Sequence, residues 1–233
     1  MHPKESRDRS GHMSDECCYC GDPAATRDHV PTRKLFPSPR PSDLITVPSC
    51  MPCNTRLSIE EEYFIHVLIL LREADTAVVH KLREQRFSQD PTPRQVRMAH
   101  RMLSSMYTKE IQTPGGLYLG SGTAFTIDQK QFDEVVEKIA RGLYFTEFAQ
   151  RPPKECVAQV RLKPPREVLE NPDVTRLISE GRGRAVGGDA FAYRIVRALE
   201  IPSLAFCFML FFGSIPVICS FQPATTSAAD SGS

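Results

Sequence analysis

The sequence carries almost no net charge: 29 Lys and Arg stand against 28 Asp and Glu, leaving +1 over 233 residues. A chain so balanced is not, as a whole, an electrostatic magnet for nucleic acid, and any basic surface has to be local. The opening residues, MHPKESRDRSGHMSDE, lack the apolar core of a signal peptide. No internal repeat is present. The glycine-rich stretch GRGRAVGG (181–188) lacks the lysine and hydroxyl residue of a phosphate-binding P-loop. From Ile201 to Phe221 no residue is charged, a run long enough to span a membrane. Pro202, Pro216 and Gly213-Ser214 punctuate it, however. It therefore reads as two buried strands, Phe206 to Phe212 and Ile215 to Phe221, joined by a turn, and no membrane partner is expected.

What is present is a soluble-type composition, 41% hydrophobic, sufficient for a packed core. There are eight cysteines. Four form Cys-x-x-Cys pairs, while Cys18, Cys156, Cys207 and Cys219 are scattered. That usage suits a metal site in a reducing, cytoplasmic setting better than a secreted disulfide framework.

The pattern predicts an α+β chain in four parts. Residues 1–16 read as a disordered leader, 17–62 as a small zinc-stapled module, 63–221 as a mixed helical and antiparallel β body, and 222–233 as a disordered tail. In the module, Thr26 to Val30 and Leu44 to Val47 are the expected strands, separated by a loop rich in proline. Ser58 with Glu61 reads as a capping box opening a helix that is apolar nearly all round. A second helix is expected over Asp75 to Phe87. Thr92-Pro93 opens a third, with Val96, Ala99, Leu103 and Met106 on its apolar face and Arg94, Arg97 and Arg101 opposite. Short strands follow at Leu117 to Leu119 and Thr123 to Ile127. Asp128 with Gln131 caps an amphipathic helix carrying Phe132, Val135, Val136, Ile139, Ala140 and Leu143. A strand over Val157 to Leu162, a short helix over Pro172 to Glu180 and a half-buried strand through Phe191, Tyr193 and Ile195 complete the body.

The chemistry concentrates in the module. Cys17/Cys20 and Cys50/Cys53 supply four thiolates, the ligand set of a closed tetrahedral Zn²⁺ site that leaves no position for water and is therefore structural. Cys17 matches the spacing of the second pair and makes Cys18 the odd thiol, although two adjacent cysteines leave a second register open. Between the pairs lies Asp28-His29, and Asn54 directly follows Cys53. The oxygens of Asp28 and Asn54 suit Mg²⁺ or Mn²⁺, which keep several waters and accept phosphate oxygens as further ligands. Neighbouring strand residues face opposite ways, so His29 is available to address a water.

Cys-x-x-Cys, Asp-His and Cys-x-x-Cys-Asn, in that order, resemble the HNH or ββα-metal nucleases, within them the branch similar to recombination endonuclease VII. The resemblance covers about residues 17–62. It implies that Asp28 and Asn54 hold one catalytic Mg²⁺ or Mn²⁺, that His29 is the general base, that the four cysteines hold zinc, and that Asp43 supports the site where the family has asparagine. The implied activity is hydrolysis of DNA phosphodiester bonds, with RNA left open as substrate. Arg27, Arg33, Lys34 and Arg40 surround the site, and Arg94, Arg97 and Arg101 form a second basic face, both as candidate nucleic-acid contacts. The alternative is a zinc module without catalysis that binds nucleic acid or a protein.

Overall fold

The computed structural model describes residues 16–88, 90–198, 200–201 and 203–223. Residues 1–15 of the expected leader (1–16) and most of the expected tail (224–233) lie outside the described residues; Glu16, the leader's last residue, forms a β-bridge with Pro23. The chain is mixed α+β, and all its strand pairs are antiparallel. Strands β1 (Thr26–His29) and β2 (Thr46–Ser49) pair with each other and lead into the short helix α1 (Met51–Thr55). Three helices follow: α2 (Ser58–Leu70), α3 (Ala77–Phe87) and α4 (Pro93–Ser104). A ribbon, β3 (Met106–Gln112) and β4 (Tyr118–Phe125), precedes the long helix α5 (Gln129–Phe148). Next come β5 (Cys156–Leu162), α6 (Arg166–Leu169), α7 (Pro172–Glu180), β6 (Ala185–Val186), β7 (Phe191–Arg197), β8 (Ala205–Phe211) and β9 (Ile215–Pro223). The last five strands form one sheet in the order β5-β9-β8-β7-β6.

Helix α2 is the hub, because every residue from Tyr63 to Ile69 is buried. Its Phe64 ring meets Phe132 of α5 at 5.0 Å and Phe211 of β8 at 5.4 Å between centroids. Each such fully buried ring contributes roughly 1.5–3 kcal/mol of transfer free energy. One contiguous set of buried side chains reaches from Val30, Ile45 and Val47 through α2 and α5 to the sheet, and so includes residues on both sides of position 62. Gly142 of α5 marks the closest approach: a Cβ there would lie 2.6 Å from Val30 Cγ2.

The hairpin expected in the uncharged run is β8–β9, with Phe211 opposite Ile215. Among the described residues no helix is long and apolar enough to cross a membrane. Several expectations are corrected. Strand β9 runs to Pro223, so the first two residues of the expected tail are ordered sheet. Ser58 does not cap α2; Leu57 is the N-cap without a side-chain bond, and Glu61 turns instead to Lys138. On α4 the capping box at Thr92 and Gln95 forms, but Met98 and Met102 are the buried residues while Val96 and Leu103 are exposed. Met106 belongs to β3, not to the helix.

Candidate metal centre and catalytic side chains

The first cysteine pair sits in a tight turn, closed by Cys17 N–H to the Asp22 carbonyl at 2.7 Å and Gly21 N–H to the Cys17 carbonyl at 3.0 Å. The second pair is set by α1: Cys50 is its N-cap, and Asn54 N–H closes the first turn onto the Cys50 carbonyl at 3.0 Å. The antiparallel β1–β2 ladder, with Thr26 opposite Ser49, brings the two turns together. The sulfur atoms of Cys17, Cys20, Cys50 and Cys53 all lie within 4.8 Å of one another. A tetrahedral zinc–thiolate site has sulfur atoms about 3.8 Å apart, from Zn–S bonds of about 2.3 Å. The four could therefore hold a structural metal such as zinc.

The thiols are not equivalent. Burial would raise the Cys17 pKa, but backbone N–H groups of Cys50, Cys20 and Tyr19 bring it down to about 6. Cys20 is helped by the Asp22 backbone yet held up, at about 11, by burial and by its hydrogen bonds to Cys17 and Cys50. Burial and the neighbouring thiols push Cys53 higher still. A cation is the group that lets all four ionise together. Cys18 stands apart in the apolar core, its thiol pushed up to about 12 by burial and by the charges of Cys17 and Asp28. The cluster thus takes Cys17, not Cys18.

Asp28 lies in β1 opposite Val47 and is buried. Its Oδ2 accepts a hydrogen bond from Tyr19 Oη at 3.0 Å and pairs with Lys138 Nζ at 2.9 Å. Lys138, on the buried face of α5, also donates to Glu61 Oε1 at 2.8 Å and to the Asn54 backbone carbonyl at 3.5 Å. Burial would lower the Lys138 pKa, but the charges of Asp28 and Glu61 raise it, so the ammonium stays charged. Burial and the Asp28 charge raise the Tyr19 hydroxyl, so it remains a donor.

Asn54 turns its amide nitrogen to β1, donating to Thr26 Oγ1 at 3.0 Å and the Arg27 carbonyl at 3.3 Å. His29 is half-buried opposite Thr46. Burial lowers its pKa below the ordinary 6.5, and the cations of Arg33 and Arg40 add to that against the opposing charge of Asp28. The imidazole is therefore a neutral proton acceptor at pH 7.

Asp43 faces the C-terminal body. Its two carboxylate oxygens accept from Gly187 N–H, each at 3.2 Å, and its Oδ2 pairs with Arg184 at 3.5 Å. It anchors the β1–β2 loop to the glycine-rich segment. The basic residues divide. Arg27 is tied across the hairpin to Thr46, Lys34 pairs with Glu62 at 3.4 Å, Arg94 donates to the Ser58 carbonyl and Arg101 pairs with Asp128 at 3.5 Å. Arg33, Arg40 and Arg97 are exposed, and among the described residues their side chains make no hydrogen bond or ion pair.

Tyr19, Glu61 and Lys138 were not foreseen as part of this site. Lys138 had a signal: it falls three residues after Val135 and one before Ile139, a cation set into an apolar helix face.

One carboxylate and one amide oxygen are a donor set that fits a hard divalent ion. The departure is that a buried ammonium already neutralises that carboxylate. No protein-family model, curated protein or solved structure matches this chain.

Proposed function

We propose that the chain is a metal-dependent endonuclease that hydrolyses DNA phosphodiester bonds, with β1, β2 and α1 as a ββα-metal module. The observation that carries this reading is the pair of hydrogen bonds from the Asn54 side chain to β1. They hold the amide beside the Asp28-His29 strand and next to the cysteine cluster. A zinc staple alone has no use for that arrangement.

Asp28 and Asn54 would hold the divalent ion, which when bound stabilises charge at the scissile phosphate. His29, neutral at pH 7, takes a proton from a water whose oxygen forms the new bond to phosphorus as the phosphorus–oxygen bond to the leaving group breaks. Arg33 and Arg40, exposed on the same loop, supply cations for the flanking phosphates.

A nicking assay on supercoiled plasmid, with Mg²⁺ or Mn²⁺ against EDTA, tests the reading. His29→Ala should lower the rate by roughly 10²–10⁴-fold with zinc content and far-UV spectrum unchanged. Undiminished nicking by that variant sinks the assignment. One observation favours a second reading, a zinc module that binds without catalysis: the Asp28–Lys138 ion pair occupies the carboxylate the ion would need. Absence of cleavage by the zinc-loaded wild type on duplex, branched and single-stranded DNA alike would select it.

A further inference from the structure

The two faces of the five-stranded sheet differ. Met209, Val217 and Cys219 point inward and are buried in the core. Their strand neighbours Phe208, Leu210, Pro216 and Ile218 therefore lie on the opposite, outer face. Part of that face is roofed by α6 and α7. Helix α7 ends tight against β7: a Cβ on its C-cap, Gly181, would lie 3.1 Å from Arg194 Cβ and 3.2 Å from Val196 Cγ2. Over β8 the roof stands off, and Leu210 stays 36% exposed. The gap is an open cavity of about 430 Å³ with Leu169 and Ile178 of the two helices in its wall. Its floor is two rows of the ladder, Ala192–Leu210–Pro216 and Arg194–Phe208–Ile218. Pockets that hold small ligands measure about 300–1,000 Å³ and are mostly apolar, with a few polar groups that orient the ligand.

The charge of this lining selects the ligand. Among the described residues Arg194 is its only charged side chain. Arg194 is half-buried, its Nη1 donates to the Tyr193 carbonyl at 3.2 Å, and no carboxylate among the described residues pairs with it. The sheet offers none: its five strands contain no Asp or Glu, against Arg161, Arg194 and Arg197. In the roof, Glu170 and Glu180 are already taken by Arg166 and Arg176. A guanidinium presents five donors in a fork that fits a carboxylate. A cation set in an apolar wall is costly without a counter-ion. A ligand with a carboxylate head and an aliphatic body meets both surfaces at once, whereas a neutral apolar ligand would leave Arg194 unpaired.

We propose that the cleft between α6–α7 and the outer face of the sheet binds a free aliphatic carboxylate, its head on Arg194 and its chain along Phe208, Ile218 and Leu210. This does not depend on the nuclease reading. The experiment is calorimetric titration of the full, zinc-loaded chain with decanoate below its micellar concentration, beside 1-decanol as the neutral counterpart. The wild type should take up one decanoate per chain and bind decanol at least tenfold more weakly. Arg194→Met keeps the aliphatic stem and should cut decanoate affinity at least tenfold while leaving decanol unchanged. Ala192→Phe fills the floor and should weaken both ligands. Arg161→Met alters a cation opposite Ile218 but outside the lining, and should leave decanoate affinity as it was. A wild type that binds no decanoate, or binds decanol as tightly, overturns the proposal. So does a loss in Arg161→Met equal to that in Arg194→Met, which would trace binding to the charge of the whole face. Co-sedimentation with phosphatidylglycerol vesicles without uptake of free decanoate also overturns it, and reassigns the face to a membrane surface.

Discussion

The described residues form two separate two-stranded antiparallel pairs, and the shorter is the better held. The β1–β2 ladder has four residues in each strand; the β3–β4 ladder has seven and eight. Around the short pair stand the cysteine cluster, the Asp28–Lys138–Glu61 ion cluster and three ties on its connecting loop. Those ties are Lys34 to Glu62, Asp43 to Gly187, and Ser38, whose N–H and carbonyl both bond the Gln85 amide at 2.7 and 2.8 Å. The long pair is joined to the body mainly at its base, where Thr126 N–H meets the Ser105 carbonyl at 3.3 Å. Ladder length therefore says little about how firmly a hairpin is fixed. Ties made by side chains outside the ladder decide it.

The largest effect comes from removing the staple. Cys50→Ser takes one of the four sulfur atoms from the cluster while leaving a good N-cap residue on α1. Structural zinc contributes about 10–16 kcal/mol of apparent binding free energy in small modules, more than a domain's usual net stability. The variant should bind no stoichiometric zinc and should lose the cooperative melt of the module. Measured zinc content near one per chain together with a wild-type melt would show that Cys50 is no part of a metal staple.

Next comes the ion cluster. Lys138→Met keeps the length of the side chain but leaves the buried Asp28 and the half-buried Glu61 without their ammonium. Breaking a buried pair from one side costs about 3–5 kcal/mol. A urea titration should show that loss, whereas a ribbon substitution such as Leu119→Ser should stay within about 0.5 kcal/mol. Equal losses at the two positions would erase the contrast between the two pairs.

Much of this contrast was legible in the sequence, and unevenly so. The cysteine spacing located the cluster because four ligands at fixed separations carry information without tertiary context. The caps at Thr92 and Asp128 and the hairpin at Gly213-Ser214 are local signals of the same kind. The buried face of α4 was misread because Met98 and Met102 compete with Val96 and Leu103 for the same helix, and only packing against the body chooses between them. Strand β3 was missed because Met106 continues the helical period, while the β-forming Tyr107, Thr108 and Ile111 act only once β4 is there to pair. The role of Lys138 needed a contact across 110 residues of chain to Asp28, which no local pattern encodes.

The smallest effect is the most selective, because it loosens the loop of the short pair without touching its ladder. Glu62 on α2 receives Lys34 from that loop and Arg86 from α3, and Arg86 also donates to the Lys34 carbonyl. Burial alone would raise the Glu62 pKa above its ordinary 4.5, but the charge and hydrogen bonds of Arg86, then Lys34, bring it below. A carboxyl with a lowered folded pKa adds stability that is present above about pH 4.5 and is lost as pH falls through the folded value. Glu62→Gln removes the titration. The stability gap between wild type and variant should be widest near neutrality and should narrow on acidification. Protection factors at Arg33 to Phe36, taken against intrinsic exchange at each pH, should fall over the same range while those of the ribbon amides hold. A gap that stays constant down to low pH would mean that Glu62 acts through packing. The loop of the short pair would then be held by shape at Glu62, and charge would set the two hairpins apart only at Lys138 and at the Asp43–Arg184 pair.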